Sequence, residues 1–136
     1  MIIVGAGADA RMRSSLPKPL HRVCGRALIA HVADAARALE PRRMAVVVGP
    51  DDDEVAKEID SWSFDMPVEV SRVSANVRYD PCAAVLAALA AWSDDELDPD
   101  VDLDDDDVLV VPGWVPLLEG DDLRAAHRAH LSLIHI

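Results

Sequence analysis

The residues with the most chemical potential stand at the front of the chain. Gly5-Ala6-Gly7-Ala8-Asp9-Ala10 is followed directly by Arg11 and, after Ser14-Ser15-Leu16-Pro17, by Lys18. A glycine-rich turn lets backbone N–H groups approach a phosphate closely. An arginine and a lysine just beyond it supply charge for phosphate oxygens. The chemistry to weigh is phosphate binding or transfer, on a dinucleotide, a nucleoside triphosphate or no ligand.

Gly5 to Ala10 fits G-x-G-x-x-A, the dinucleotide fingerprint. That fingerprint needs a helix opening near its second glycine. Pro17 and Pro19 fall in mid-course of such a helix and would break it. It also needs an acidic residue roughly 20 positions on, at the end of the second strand. The second predicted strand ends only at Val48. No G-K-[ST] follows the glycines, so the phosphate loop of that type is absent as well.

The elements that would position this loop follow from the apolar pattern. Ile2-Ile3-Val4, Met44 to Val48, Val68 to Val73 and Val108 to Val111 read as strands. Ala27 to Leu39, with Leu28, Ile29, Val32, Ala36 and Leu39 at helical spacing, reads as a helix that Pro41 stops. Asp51 to Ile59, Ala83 to Trp92 and Asp121 to about Leu131 read as further helices. Wholly apolar strands alternating with amphipathic helices imply βαβ units and a parallel sheet covered on both faces. Ligands of such sheets bind at the carboxyl ends of strands. Here these are Gly5 to Gly7, Gly49-Pro50 and Pro112 to Trp114.

The chain has 136 residues, half of them apolar, enough for one core. Its net charge of −12 is concentrated. Ten of the fourteen residues from Asp94 to Asp107 are acidic, and the rest of the chain is nearly neutral. This run reads as a solvated linker, since contiguous aspartates without a glycine turn do not match a calcium loop. The charge argues against nucleic-acid and anionic-membrane partners. No signal peptide is visible and no apolar run reaches transmembrane length, so a cytoplasmic protein is expected. Cys24 and Cys82 are expected to be reduced, small core or loop residues, inert packing groups rather than nucleophiles.

The stretch from Val4 to His21, VGAGADARMRSSLPKPLH, resembles the opening of the nucleotidyltransferases that make nucleotide sugars. Their pattern is roughly L-A-A-G-x-G-T-R-M-x-S-x-x-P-K-x-L. It is most similar to the N-terminal domain of the bacterial bifunctional N-acetylglucosamine-1-phosphate uridyltransferases. The likeness continues at Gly25 to Val32, Asp34 to Leu39, Val46 to Gly49, Ala84 to Leu89 and Gly113 to Leu118. It implies the N-terminal portion of a three-layer α/β fold, a Rossmann-like nucleotide-diphospho-sugar transferase with a largely parallel sheet. Residues 1–131 would form this partial domain, with 94–107 as the acidic linker and 132–136 as a tail foreign to it. The activity it implies is uridylyl transfer from UTP to N-acetylglucosamine 1-phosphate with Mg2+ as cofactor. Arg11 and Lys18 would neutralise the phosphates as pyrophosphate leaves. Val4, Gly5, Ala6 and Gly7 would line the nucleotide, and Gly113 would lie in the base and sugar region.

Three departures from the family pattern fall on its site. Asp9 replaces a glycine and Ala10 a threonine, placing a negative charge where the triphosphate lies. Arg78-Tyr79-Asp80-Pro81-Cys82-Ala83-Ala84 stands where the family has Q-L-G-T-G-H-A, which reads uracil. Trp114 stands where the family's metal-binding aspartate belongs, and an indole cannot ligate magnesium, so no metal ligand is assigned. Trp114 is read either as a stacking surface or as a plug over that site. Asp107 and Glu119 are placed on the wrong side of the strand and in the next loop to replace the aspartate.

Smaller groupings carry less. His127 and His130, at i and i+3 on a helix, make a poor metal site with two nitrogens alone. His21 and His31 are expected to pack around the first helix, and Ser14 and Ser15 have no base in reach. Three readings stand: a nucleotidyltransferase of altered specificity, a non-catalytic nucleotide-binding or scaffold protein, and an oxidoreductase that the prolines disfavour. The oligomeric state is left open.

Overall fold

The computed structural model describes residues 1–6, 12–74, 81–94 and 107–134. Much of the acidic run, with Gly7 to Arg11 and Arg78 to Asp80, therefore lies outside the described residues. Strands β1 (Ile2–Val4) and β4 (Met44–Val48) are buried at every position. Such strands need cover on both faces, which a parallel sheet between helices provides. With β5 (Val68–Arg72) and β6 (Val110–Pro112) they form one sheet in the order β5-β4-β1-β6, every pair parallel. Ile3 stands opposite Val46 on one side and Val111 on the other.

The chain first moves outward, from β1 through α1 (Leu28–Arg37) to β4 and through α2 (Asp53–Asp60) to β5. It then returns through α3 (Pro81–Asp94) to the far side of β1, lays down β6, and ends in α4 (Gly120–Ile134). Right-handed crossovers that travel in opposite directions place their helices on opposite faces. Accordingly Ile3, Met44, Val46 and Val48 pack against Ile29, Val32 and Ala36 of α1, Val55 and Ile59 of α2, and Leu123 of α4. Ile2, Val4, Ala45 and Val47 pack against Ala84, Ala88 and Trp92 of α3. The expected three-layer α/β fold with a parallel sheet is what forms.

Two junctions hold the helices in place. Glu69 of β5 accepts Arg43 through Oε1 (2.9 and 3.1 Å) and the indole N–H of Trp92 through Oε2 at 2.9 Å, and the Arg43 guanidinium stands 5.4 Å over the Trp92 ring. This ties α3 to the edge of the sheet. At the other junction Gly120 faces Ala38, and Arg124 donates to the Ala38 carbonyl while pairing with Asp121 at 2.7 Å.

Several expectations change in detail. The fourth strand starts at Val110 rather than Val108 and takes in Pro112. That proline is tolerated because β6 is an edge strand and need not donate from that residue. The second helix starts at Asp53, because Asp52 turns back to accept the Gly49 N–H at 2.9 Å. The last helix runs on through Ser132 to Ile134, the Ser132 hydroxyl donating to the Ala129 carbonyl at 2.7 Å. A small antiparallel hairpin, β2 (Arg22–Val23) and β3 (Arg26–Ala27), was not anticipated. Its turn residues Cys24 and Gly25 have φ of 51° and 80°, the left-handed pair of a type I′ turn. Cys24 is exposed at the turn apex, a loop position, and Cys82 is exposed on α3 rather than packed in the core. His31 of α1 does anchor its surroundings, its Nε2 lying 2.9 Å from the Val23 carbonyl.

Candidate functional site

The reversal of chain direction lies between β1 and β6, so the crevice for a ligand opens at the carboxyl ends of these two strands. Val4, Gly5 and Ala6 form one wall, all buried. Gly113 and Trp114 form the other. The Gly113 N–H donates to the Val4 carbonyl and the Gly5 N–H to the Val47 carbonyl, both at 2.8 Å, so three strand ends are pinned together. A side chain has no room at either glycine. A Cβ on Gly5 would stand 3.0 Å from Ile29 Cδ1 and 3.2 Å from the Val47 oxygen. One on Gly113 would stand 3.0 Å from the Val4 oxygen and 3.3 Å from Gly5 Cα.

Lys18 reaches this crevice from the short 3-10 helix Lys18–Leu20. Pro17 enters it with φ −51° and ψ 137°, and the following Pro19 and Leu20 are buried. The lysine backbone is thereby fixed by a proline on each side and an apolar anchor below. Upstream, the Ser14 hydroxyl oxygen accepts the Leu16 N–H at 3.1 Å and shapes the approach, a structural task rather than a nucleophilic one. The Lys18 ammonium stands 4.4 Å above the centroid of the Trp114 ring. Such contacts contribute about 0.5–1 kcal/mol when exposed and up to about 2 when desolvated. Both side chains are half-buried.

The third strand end, Gly49-Pro50, is closed by its own neighbours. Asp52 covers Gly49, and Arg72 donates to the Pro50 carbonyl at 3.2 Å while pairing with Asp53 at 2.8 Å. The site is thus narrower than the three candidate loops implied. Of the residues singled out from sequence, the fold brings together Val4, Gly5, Ala6, Lys18, Gly113 and Trp114. Gly7 and Arg11, with Asp9 and Ala10, lie outside the described residues. The Lys18–Trp114 contact joins residues 96 positions apart in the chain, and no spacing rule could have pointed to it.

The acidic residues nearest in sequence are engaged elsewhere. Asp107 precedes β6 at the opposite, amino end of the sheet, where His127 Nε2 stands 2.9 Å from its Oδ2 and His130 Nε2 3.5 Å from its Oδ1. This explains the i, i+3 histidines without a metal. Glu119 belongs to the entry of α4, its N–H donating to Asp122 Oδ2 at 3.1 Å. Magnesium demands hard oxygen donors in near-octahedral array. At the end of β6 the described residues offer an indole, which only donates, and an ammonium above it. Among the described residues no group of three histidines, cysteines, aspartates or glutamates could hold a metal ion. The described residues therefore do not fit magnesium.

Among the described residues no helix is long and apolar enough to cross a membrane. Comparison with known proteins bears directly on this architecture. The bifunctional protein GlmU of Corynebacterium aurimucosum is 36% identical over 129 residues, 95% of this chain and 25% of that protein. The chain spans about a quarter of the length of the curated relatives it matches. Among solved structures, Rv0371c of Mycobacterium tuberculosis superposes with a TM-score of 0.65 at 17% identity, over 95% of this chain and 58% of that one. The 4-diphosphocytidyl-2C-methyl-D-erythritol synthase of Anaerococcus prevotii superposes with a TM-score of 0.61 at 20% identity, over 94% of this chain and 48% of that one. These two likenesses establish the fold. The family model described as the MobA-like NTP transferase domain matches residues 1–132, and the chain belongs to that family.

Proposed function

We propose that this chain is a nucleotide-binding member of the NTP transferase family that has kept the triphosphate crevice and lost magnesium-dependent uridylyl transfer. The ligand would be UTP, and the acceptor of the lost reaction a sugar 1-phosphate, N-acetylglucosamine 1-phosphate by resemblance. The observation that carries this reading is the Lys18 ammonium over Trp114, beside two glycines that let the strand ends close on each other at the reversal. A lysine held there serves a polyphosphate, while an indole gives a divalent cation nothing to bind. The residues that pin the strand ends are intact, so the change concerns the chemistry of the site rather than its frame.

The test is a pair of measurements on the purified chain. Calorimetric titration with UTP is expected to show saturable binding. A pyrophosphate-release assay with UTP, N-acetylglucosamine 1-phosphate and magnesium is expected to stay at background. Sustained magnesium-dependent release would overturn the loss of transfer. Absence of any UTP binding would overturn the nucleotide reading and leave a scaffold role.

A further inference from the structure

We propose that the strand-end crevice takes its nucleoside triphosphate free of divalent metal, with the Lys18 ammonium on the Trp114 ring as the resident counter-charge. The inference rests on the nucleotide-binding reading above and specifies the ionic form of the ligand.

Three observations converge. First, the face of an indole is electron-rich and holds an ammonium, and Lys18 Nζ lies 4.4 Å from the Trp114 centroid. A fixed positive charge is thus built into the end of β6. Second, the lysine is carried on a stiff segment, Pro17 before it and buried Pro19 and Leu20 after it, so little ordering is needed when a phosphate arrives. Third, the end of β6 presents an indole under an ammonium where a metal would need a carboxylate, and three described carboxylates nearby are engaged. Asp52 accepts from Gly49, Asp53 pairs with Arg72, and Asp122 accepts from Glu119. A metal carried in on the phosphates would meet a like charge at Lys18 and, in the indole of Trp114, a group with no lone pair to give it. It would also cancel part of the phosphate charge that the lysine attracts.

The experiment is titration of the full chain with UTP, once in EDTA and once in excess magnesium chloride, read by calorimetry and by tryptophan fluorescence. Binding is expected to be at least about threefold weaker in magnesium than in EDTA, since even a modest loss of attraction has that effect on the dissociation constant. Equal or tighter binding in magnesium overturns the proposal while leaving the nucleotide reading in place. Binding in neither medium overturns both. Trp114→Asp is expected to invert the order, because the new carboxylate pairs with Lys18 and offers the metal an oxygen. Trp114→Phe keeps an aromatic face and is expected to keep the preference for metal-free UTP. Lys18→Met is expected to abolish the difference between the two media. If Trp114→Asp fails to fold, Trp114→Phe and Lys18→Met decide the matter: a difference that survives Lys18→Met overturns the role given to the lysine.

Discussion

Gly113→Ala puts the frame of the crevice under direct test. The added methyl would stand 3.0 Å from the Val4 carbonyl oxygen, 3.3 Å from Gly5 Cα and 3.4 Å from Ile29 Cδ1. The isoleucine tip can rotate away, but the other two are backbone atoms of a strand end pinned by Gly5 to Val47 at 2.8 Å. The β1 and β6 ends must therefore part by a few tenths of an ångström, which strains the 2.8 Å bond from Gly113 to Val4. Overpacking of this kind costs about 1–3 kcal/mol. The lost flexibility of the unfolded glycine returns about 0.4–1 kcal/mol. The expected net loss is about 1–2 kcal/mol, a fall in Tm of roughly 5 °C for a chain of this size. Urea unfolding followed by circular dichroism should show a lower midpoint at unchanged slope. UTP affinity should fall as well, because the walls of the crevice move. Gly25→Ala is the control: nothing stands within 4 Å of a Cβ there, and φ is +80°. It should cost only about 1–2 kcal/mol of left-handed strain and leave UTP affinity unchanged. A Gly113→Ala protein as stable as the parent, with unchanged affinity, would refute the claim that close backbone approach fixes the site.

Other substitutions probe the remaining supports. Glu69→Ala leaves the indole N–H of buried Trp92 without its acceptor and should cost about 1–3 kcal/mol in urea unfolding. A double-mutant cycle with Trp92→Phe should return a positive coupling, and strict additivity would refute the bond. Asp52→Ala removes the acceptor of the Gly49 N–H and should destabilise by about 1 kcal/mol, measured the same way. Gly120→Val should cost more, since even a Cβ there would meet Ala38 Cβ at 2.5 Å and push α4 from α1, and thermal unfolding should show it.

The parallel sheet was legible because its inner strands carry apolar residues without a break. Ile2-Ile3-Val4 and Met44 to Val48 admit little else when helices flank them. The edges were harder to bound. At β6 the apolar run from Val108 to Val111 set the expected bounds, whereas the strand begins at Val110 and takes in Pro112, which an edge position tolerates. The hairpin at Arg22 to Ala27 escaped because two-residue strands have no periodicity, and its turn uses a non-glycine residue at φ 51°. At the site, Gly5, Ala6 and Gly113 were legible as strand ends and Lys18 through its motif. The contact of Lys18 with Trp114 was not, for it exists only once β6 lies beside β1. Cys82 went to the surface because residue type sets only an average preference for burial, whereas the face of a helix decides the particular case.

The strand order has a kinetic consequence. Ile2 of β1 pairs both with Ala45 of β4 and with Val110 of β6. As the chain leaves the ribosome, β1, β4 and β5 can associate while β6 is still to be made, because N-terminal segments emerge first. At that stage one flank of β1 is open, and the lysine that leads into the crevice has no indole to rest on. Closing so long a loop is slow relative to the local βαβ pairings. The lysine–indole contact therefore forms only once β6 has docked beside β1, after the local pairings around β4 and β5 are in place.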